Sequence, residues 1–154
     1  MLTLERYEKA IFTNMCMVYD NEGNVLVQHR VDPDWGGVTF PGGHVEPAED
    51  FTDAVIREIQ EETGLRISQP QLCGVKQWIN EEGARYVVLC YKTCHFEGEL
   101  ISSEEGEMSW VKISELESLP LASGMTYMFR LFLDEGVSEH CLHREGGHWV
   151  NLLK

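Results

Sequence analysis

Three glutamates and an arginine crowd one short stretch of this sequence, Arg57-Glu58-Ile59-Gln60-Glu61-Glu62. The surrounding pattern predicts a helix: Asp50 or Glu49 can cap it, it runs to about Thr63, and Gly64 stops it. With Phe51 at zero on a wheel of about 100° per residue, Ala54, Val55 and Ile59 form an apolar stripe, and Glu58, Glu61 and Glu62 fall on the same arc. Like charges one turn apart repel by about a few tenths of a kcal/mol per pair, and the helix dipole disfavours acids at this end. Arg57 offsets only part of this, chiefly against Glu61 one turn on. The outward arc is already taken by Asp53, Ile56 and Gln60, so a merely solvated acidic face leaves the placement unexplained. A hard divalent cation such as Mg²⁺, which takes oxygen ligands and keeps several waters, explains it.

The whole chain of 154 residues carries 12 basic and 26 acidic residues, a formal net charge of −14. Such a chain repels a phosphate backbone and an anionic bilayer, which excludes nucleic-acid polymers and anionic membrane surfaces as expected partners. The charge is concentrated: residues 46–62 hold a net −6 and residues 97–107 a net −5. Composition is globular, at 43% hydrophobic and 25% charged residues. The length suits a single domain spanning 1–154, able to bury roughly 70% of its unfolded surface without disulfide or structural metal.

The elements that must position these groups read as a mixed sheet covered by helices. Ala10–Tyr19 and Val25–Val31 are strand-like and flank the turn Asp20–Asn24, so they read as a hairpin. A short strand, Val38-Thr39-Phe40, precedes Pro41-Gly42-Gly43 and the acidic helix. Gln71–Asn80, Ala84–Phe96 and Glu107–Lys112 are further strands, followed by a helical segment at Ile113–Leu119 and a last helix at Gly124–Glu135. The His-, Gly- and Trp-rich tail, His140–Lys154, has no clear assignment. Cys90, Cys94 and His95 hint at a metal cluster, but they fall in a strand with no second pair at zinc spacing, so packed thiols are expected. His140, His143 and His148 likewise lack companion ligands. No apolar run is long enough to span a membrane, and no signal peptide is evident. With five cysteines in no scaffold spacing, the expected location is the cytoplasm.

Gly43, five residues, Glu49, seven residues, then Arg57-Glu58-Ile59-Gln60-Glu61-Glu62-Thr63-Gly64-Leu65 resembles the Nudix box at every specified position. The resemblance covers residues 43–65 and, with Phe40-Pro41-Gly42 and the strand order, most of the chain. It implies the family's α/β fold, an α-β-α sandwich with a mixed β-sheet between helices. It also implies hydrolysis of a nucleoside diphosphate linked to another group, by an attacking water with Mg²⁺ or, as substitute, Mn²⁺. On this resemblance Glu58, Glu61 and Glu62 hold metal, and Gly43 adds its carbonyl. Arg57 orients the carboxylates, and Glu58 or another acid serves as base. Many members add a distal glutamate, for which Glu105 is the best match and Glu104 the second. Many relatives also form homodimers.

The substrate is narrowed by exclusion. The proline of ADP-ribose-cleaving members and the tyrosine of dinucleoside-polyphosphate-cleaving members fall at Asn80-Glu81 and Glu82-Gly83 here. The chain then resembles the MutT-type members, which convert nucleoside triphosphates such as 8-oxo-dGTP to the monophosphate and pyrophosphate. His44 departs from the lysine that some of them carry. Candidate substrate contacts are Arg30 toward phosphate, Gly42 through close backbone approach, His44, and the aromatic faces of Trp35, Phe40 and Trp78. Two alternatives remain: hydrolysis of another nucleoside-diphosphate derivative, and a ligand-sensing module without turnover.

Overall fold

The computed structural model describes residues 6–154. Strands β1 (Ala10–Val18), β5 (Gln71–Ile79), β6 (Arg85–Thr93), β9 (Glu139–Glu145) and β10 (His148–Leu153) form a mixed sheet in the order β1-β6-β5-β9-β10. The β1/β6 and β5/β9 pairs are parallel, whereas β5/β6 and β9/β10 are antiparallel. A second, antiparallel sheet orders β3 (Gly37–Thr39), β2 (Asn24–Arg30) and β8 (Gly106–Lys112). A two-stranded ribbon pairs β4 (Arg66–Ser68) with β7 (His95–Glu97).

The period-2 alternation of strands places the two helices on opposite faces. Met15, Met17, Val88 and Cys90 point to one side, where α2 (Met125–Leu133) buries Met125, Met128, Phe129 and Phe132. Cys16, Val18, Leu89 and Tyr91 point to the other, where α1 (Phe51–Thr63) buries Val55 and Ile59. This is the α-β-α layering that the sequence led us to expect.

Five local features correct or complete the sequence reading. First, β1 and β2 do not form a hairpin beyond one bridge, Tyr19 to Val25. The edge of β1 that β2 would occupy is taken by the loop after β3: Asn14 N–H donates to Gly43 O at 2.8 Å, Cys16 N–H to Pro41 O at 2.9 Å, and Val45 N–H to Phe12 O at 2.9 Å. Second, the strand expected at Ala84–Phe96 breaks at Cys94, and its end crosses to pair with β4. Third, the unassigned tail is a hairpin, turned by Gly146 and Gly147 with φ of 56° and 82°. Two successive positive φ angles are what a tight two-residue hairpin loop requires. Fourth, Phe51, the origin of the wheel, lies at the rim of the buried stripe of α1, 5.2 Å from the ring of Phe12. Fifth, Asp50 occupies the cap position of α1 but makes no side-chain cap bond, and Glu49 is engaged elsewhere.

Gly42 is required by packing. A Cβ there would collide with the Asn14 carbonyl oxygen and with the Cα of Met15. Gly42→Ala must therefore lift the loop from β1, and overpacking of this kind costs about 1–3 kcal/mol. The expected result is a lower urea midpoint with an unchanged slope, measured by circular dichroism.

Candidate active site

Arg57 is the hub of the acidic helix. Its Nε donates to Glu49 Oε2 at 2.7 Å and its Nη2 to Glu49 Oε1 at 2.9 Å, a bidentate pair. Nη2 also donates to the His44 carbonyl at 2.9 Å, while Nη1 donates to Glu58 Oε1 at 3.0 Å and Glu61 Oε2 at 3.1 Å. One guanidinium thus fixes the loop at residues 44–49 onto the helix face bearing Glu58. The loop lies so close that a Cβ on Gly43 would strike the Glu58 carboxyl group.

The second acidic segment reaches the same place through the other sheet. Pairing of β2 with β8 sets Arg30 opposite Gly106, so Glu105 enters beside the end of β2, with Glu105 Oε2 3.9 Å from Arg30 Nη1. Ser103 ties this loop down: its Oγ donates to Glu62 Oε2 at 2.7 Å and accepts from the Glu105 N–H at 3.2 Å. Gln28 Nε2 also faces Glu62 Oε2, at 3.4 Å. Burial, and then the charge of Glu62, pushes the Glu105 carboxyl above its ordinary value against the pull of Arg30. Burial likewise raises Glu58, opposed by Arg57 and reinforced by Glu61 and Glu62. For both carboxyls burial is a larger cause than repulsion from neighbouring acids. Glu49 goes the other way, held down at about 2 by its hydrogen bonds to Arg57.

The remaining expected residues divide. Trp35 and Trp78 are half-buried on the α2 side of the sheet; Arg30 lies over the Trp35 ring at 5.4 Å, and Trp78 stacks on Tyr86 at 4.5 Å. Phe40 is corrected to a core residue: it is 2% exposed and packed edge-on against Phe132 at 5.0 Å, so no ring face is left for a ligand. The close approach allowed by Gly42 is to β1 and not to a ligand. The His44 side chain is exposed and lines a shallow cavity of about 370 Å³ with Phe12 and Phe51, a cavity lined by none of Glu58, Glu61, Glu62 and Glu105.

Sequence reasoning missed Asn14, Gln28 and Ser103. Asn14 Oδ1 accepts the Gly43 N–H at 3.0 Å, while its buried Nδ2 has no partner among the described residues. The available signal was a polar residue inside each of two apolar strands, Thr-Asn-Met-Cys and Leu-Val-Gln-His. A buried amide in such a strand needs a reason.

Against this geometry stands a direct comparison: the NUDIX domain family matches residues 12–132. The chain belongs to the NUDIX family. Nudix hydrolase YvcI of Bacillus subtilis is 33% identical over 114 residues, 71% of this chain and 70% of that protein. A MutT-like protein of Streptomyces ambofaciens is 30% identical over 138 residues, 87% of this chain and 83% of its own. A crystal structure of a MutT protein from Bacillus halodurans aligns with a TM-score of 0.78 at 28% identity, covering 93% of this chain and 97% of that one. Like other Nudix hydrolases, this protein is a pyrophosphohydrolase of nucleoside-diphosphate-linked substrates, a family that generally uses a divalent metal. None of the described helices of this Nudix protein is long and apolar enough to cross a membrane.

Donor chemistry in the site fits such a cation. Among the described residues no three His, Cys, Asp or Glu side chains form a closed metal cluster. Glu58 and Glu61 each turn one oxygen to Arg57 and leave the other without a hydrogen-bond partner among the described residues, and Glu105 is held against Glu62. Half-free hard oxygens, with Glu58 and Glu105 also destabilised by burial, suit a hard divalent ion.

The Glu49–Arg57 pair also predicts a pH dependence. An unperturbed glutamate titrates at about 4.3, and Glu49 at about 2 when folded. A depressed carboxyl stabilises the fold above the unfolded value and loses that contribution as pH falls through the folded one. The melting-temperature difference between wild type and Glu49→Gln should therefore be constant above about pH 5 and close as pH approaches 2. A difference independent of pH would show that charge is not what Glu49 contributes.

Proposed function

We propose that this Nudix hydrolase is a Mg²⁺-dependent nucleoside-triphosphate pyrophosphohydrolase, with an oxidised purine triphosphate such as 8-oxo-dGTP as its leading substrate. The reading rests on one observation: acids from two distant segments, Glu58, Glu61 and Glu62 of α1 and Glu105 of the loop before β8, lie together, with Arg57 bound to two of them and Arg30 at their rim. Names of relatives support nucleotides while differing on the base. A putative 8-oxo-dGTP diphosphatase of Bacillus subtilis is 41% identical over 46 residues, and a CTP pyrophosphohydrolase of Escherichia coli is 27% identical over 119 residues.

Glu58, Glu61, Glu62 and Glu105, with the Gly43 carbonyl, would hold the ion, which supplies neutralisation of the phosphate charge and acidifies the attacking water. Arg57 keeps Glu58 and Glu61 aimed, since a planar guanidinium fixes both direction and distance. Arg30 faces the phosphates, and Asn14 Nδ2 supplies a buried donor beside Gly43. Water oxygen bonds to phosphorus, the bridging P–O bond breaks, and pyrophosphate leaves with the electron pair. The water proton passes to a carboxylate, for which the raised Glu58 and Glu105 are the candidates. Five unpaired cysteines fit a reducing cytoplasm.

A Mg²⁺-supplemented nucleotide screen, with products resolved by phosphorus NMR, tests this. Pyrophosphate and a monophosphate are the expected products. Glu62→Gln should lower kcat by at least about a hundredfold, the scale of losing one electrostatic group. Unchanged turnover in Glu62→Gln would remove the metal role of Glu62. Tight nucleotide binding without turnover in wild type would point instead to a sensor.

A further inference from the structure

Side-chain contacts that begin at Arg30, on the rim of the acidic cluster, end at a buried lysine and a buried histidine that the hydrolytic chemistry does not use. Lys76 on β5 and His140 on β9 are register partners across the parallel pairing. They are 7% and 0% exposed. Two chains of contacts lead to them from Arg30. In one, Arg30 covers Trp35, whose Nε1 donates to the Ser123 carbonyl at 2.9 Å, next to Gly124. In the other, Tyr86, whose phenol feels the charge of Arg30, stacks on Trp78, and Trp78 carries the Lys76 ammonium over its ring at 5.3 Å.

Both groups have unmet hydrogen-bonding capacity. Burial depresses the Lys76 ammonium to about 8, and no carboxylate offsets this. Its three donors have no hydrogen-bonded acceptor among the described residues, where a buried charge ordinarily needs one. Burial and the nearby Lys76 keep His140 below its ordinary value, so the ring is neutral at pH 7. Its Nε2 lies 2.8 Å from Asn151 Oδ1, a pure acceptor, and so carries the proton. Nδ1 is then a lone-pair acceptor, and it is buried without a partner among the described residues. Gly124 stands against both and brings no side chain of its own to pair with either: a Cβ there would lie 3.3 Å from Lys76 Nζ and 3.9 Å from His140 Cε1. Tyr127 stacks on the His140 ring at 5.5 Å.

We propose that Lys76 and His140 read the base of the nucleotide and select a lactam edge, with Lys76 Nζ donating to the ring carbonyl and His140 Nδ1 accepting from the adjacent ring N–H. An amino-purine edge also offers an acceptor beside a donor. Its acceptor is a ring nitrogen with one in-plane lone pair, whereas a carbonyl oxygen projects further and carries more negative charge toward a buried ammonium. A site whose buried polar groups are left unpaired by the wrong base discriminates strongly. The proposal rests on the nucleotide-hydrolase reading above and extends it to the class of base. Guanine, hypoxanthine, 8-oxoguanine and uracil qualify; adenine does not.

Inosine and adenosine triphosphates differ only at the edge in question, which makes them the probes. With Mg²⁺, wild type should show a KM for inosine triphosphate at least about tenfold below that for adenosine triphosphate, the scale of a hydrogen bond to a charged group. Lys76→Met should abolish the difference by raising the inosine KM, with kcat retained. In parallel, ¹⁵N NMR of wild type should show the His140 Nδ1 resonance moving on titration with inosine monophosphate and not with adenosine monophosphate. This readout needs neither metal nor turnover, and it decides the matter if Lys76→Met fails to fold. Equal KM values in wild type, retention of the preference by Lys76→Met, or an unmoved His140 resonance would each overturn the base assignment while leaving nucleotide hydrolysis standing. Absence of turnover on every nucleotide would overturn both.

Discussion

The guanidinium of Arg57 ties the helix of acids to the loop before it, and the rest of the architecture follows from that tie. All five of its N–H groups have a use in a planar fork: two on Glu49, one each toward Glu58 and Glu61, and one on the His44 carbonyl. A lysine has no such geometry. With residues 44–49 held to α1, the chain just before them is laid along β1, where its backbone takes the hydrogen bonds that β2 would have made. β2 is thereby sent to a second sheet, and its pairing with β8 brings Arg30 and Glu105 to the same rim.

A protein with net charge −14 looks ill suited to an anionic substrate until the charge is located. Its two most acidic segments meet at the carboxyl end of α1, where burial raises Glu58 and Glu105 and where a divalent ion relieves their repulsion. At Lys76 the imbalance is reversed. It is buried with no carboxylate beside it among the described residues. The fold therefore keeps two electrostatic problems apart, an excess of anions at the acidic helix and a buried cation on β5. Each is an arrangement that a folded protein without a ligand gains nothing by keeping.

The helix and its chemistry were legible from sequence, because a helical wheel is a local object: Glu58 is buried as the wheel placed it, whereas Glu61, placed on the same arc, is exposed because the packed face of α1 is narrower than that arc. The turn of the tail was also written locally, in Gly146-Gly147, but its strands were not, since buried His140 and half-buried Asn151 interrupt the apolar alternation and hydrogen-bond each other. Phe40 misled because an aromatic next to a glycine-rich loop has the same sequence appearance whether it faces a ligand or the core. Only the arrival of Phe129 and Phe132 from α2 decides between them.

By itself, the sequence determined that this chain carries a metal-compatible acidic helix stopped by Gly64, a globular core, and a spacing of Gly43, Glu49 and Arg57 through Leu65 that marks its family. These depend on residues within a few turns of one another. Tertiary structure alone decided which edge of β1 is covered, that Glu105 comes to Glu62, and that Lys76 stands beside His140. Those outcomes depend on strand register between segments far apart in the chain. Register is set by the summed packing of both faces and leaves no short-range pattern to read.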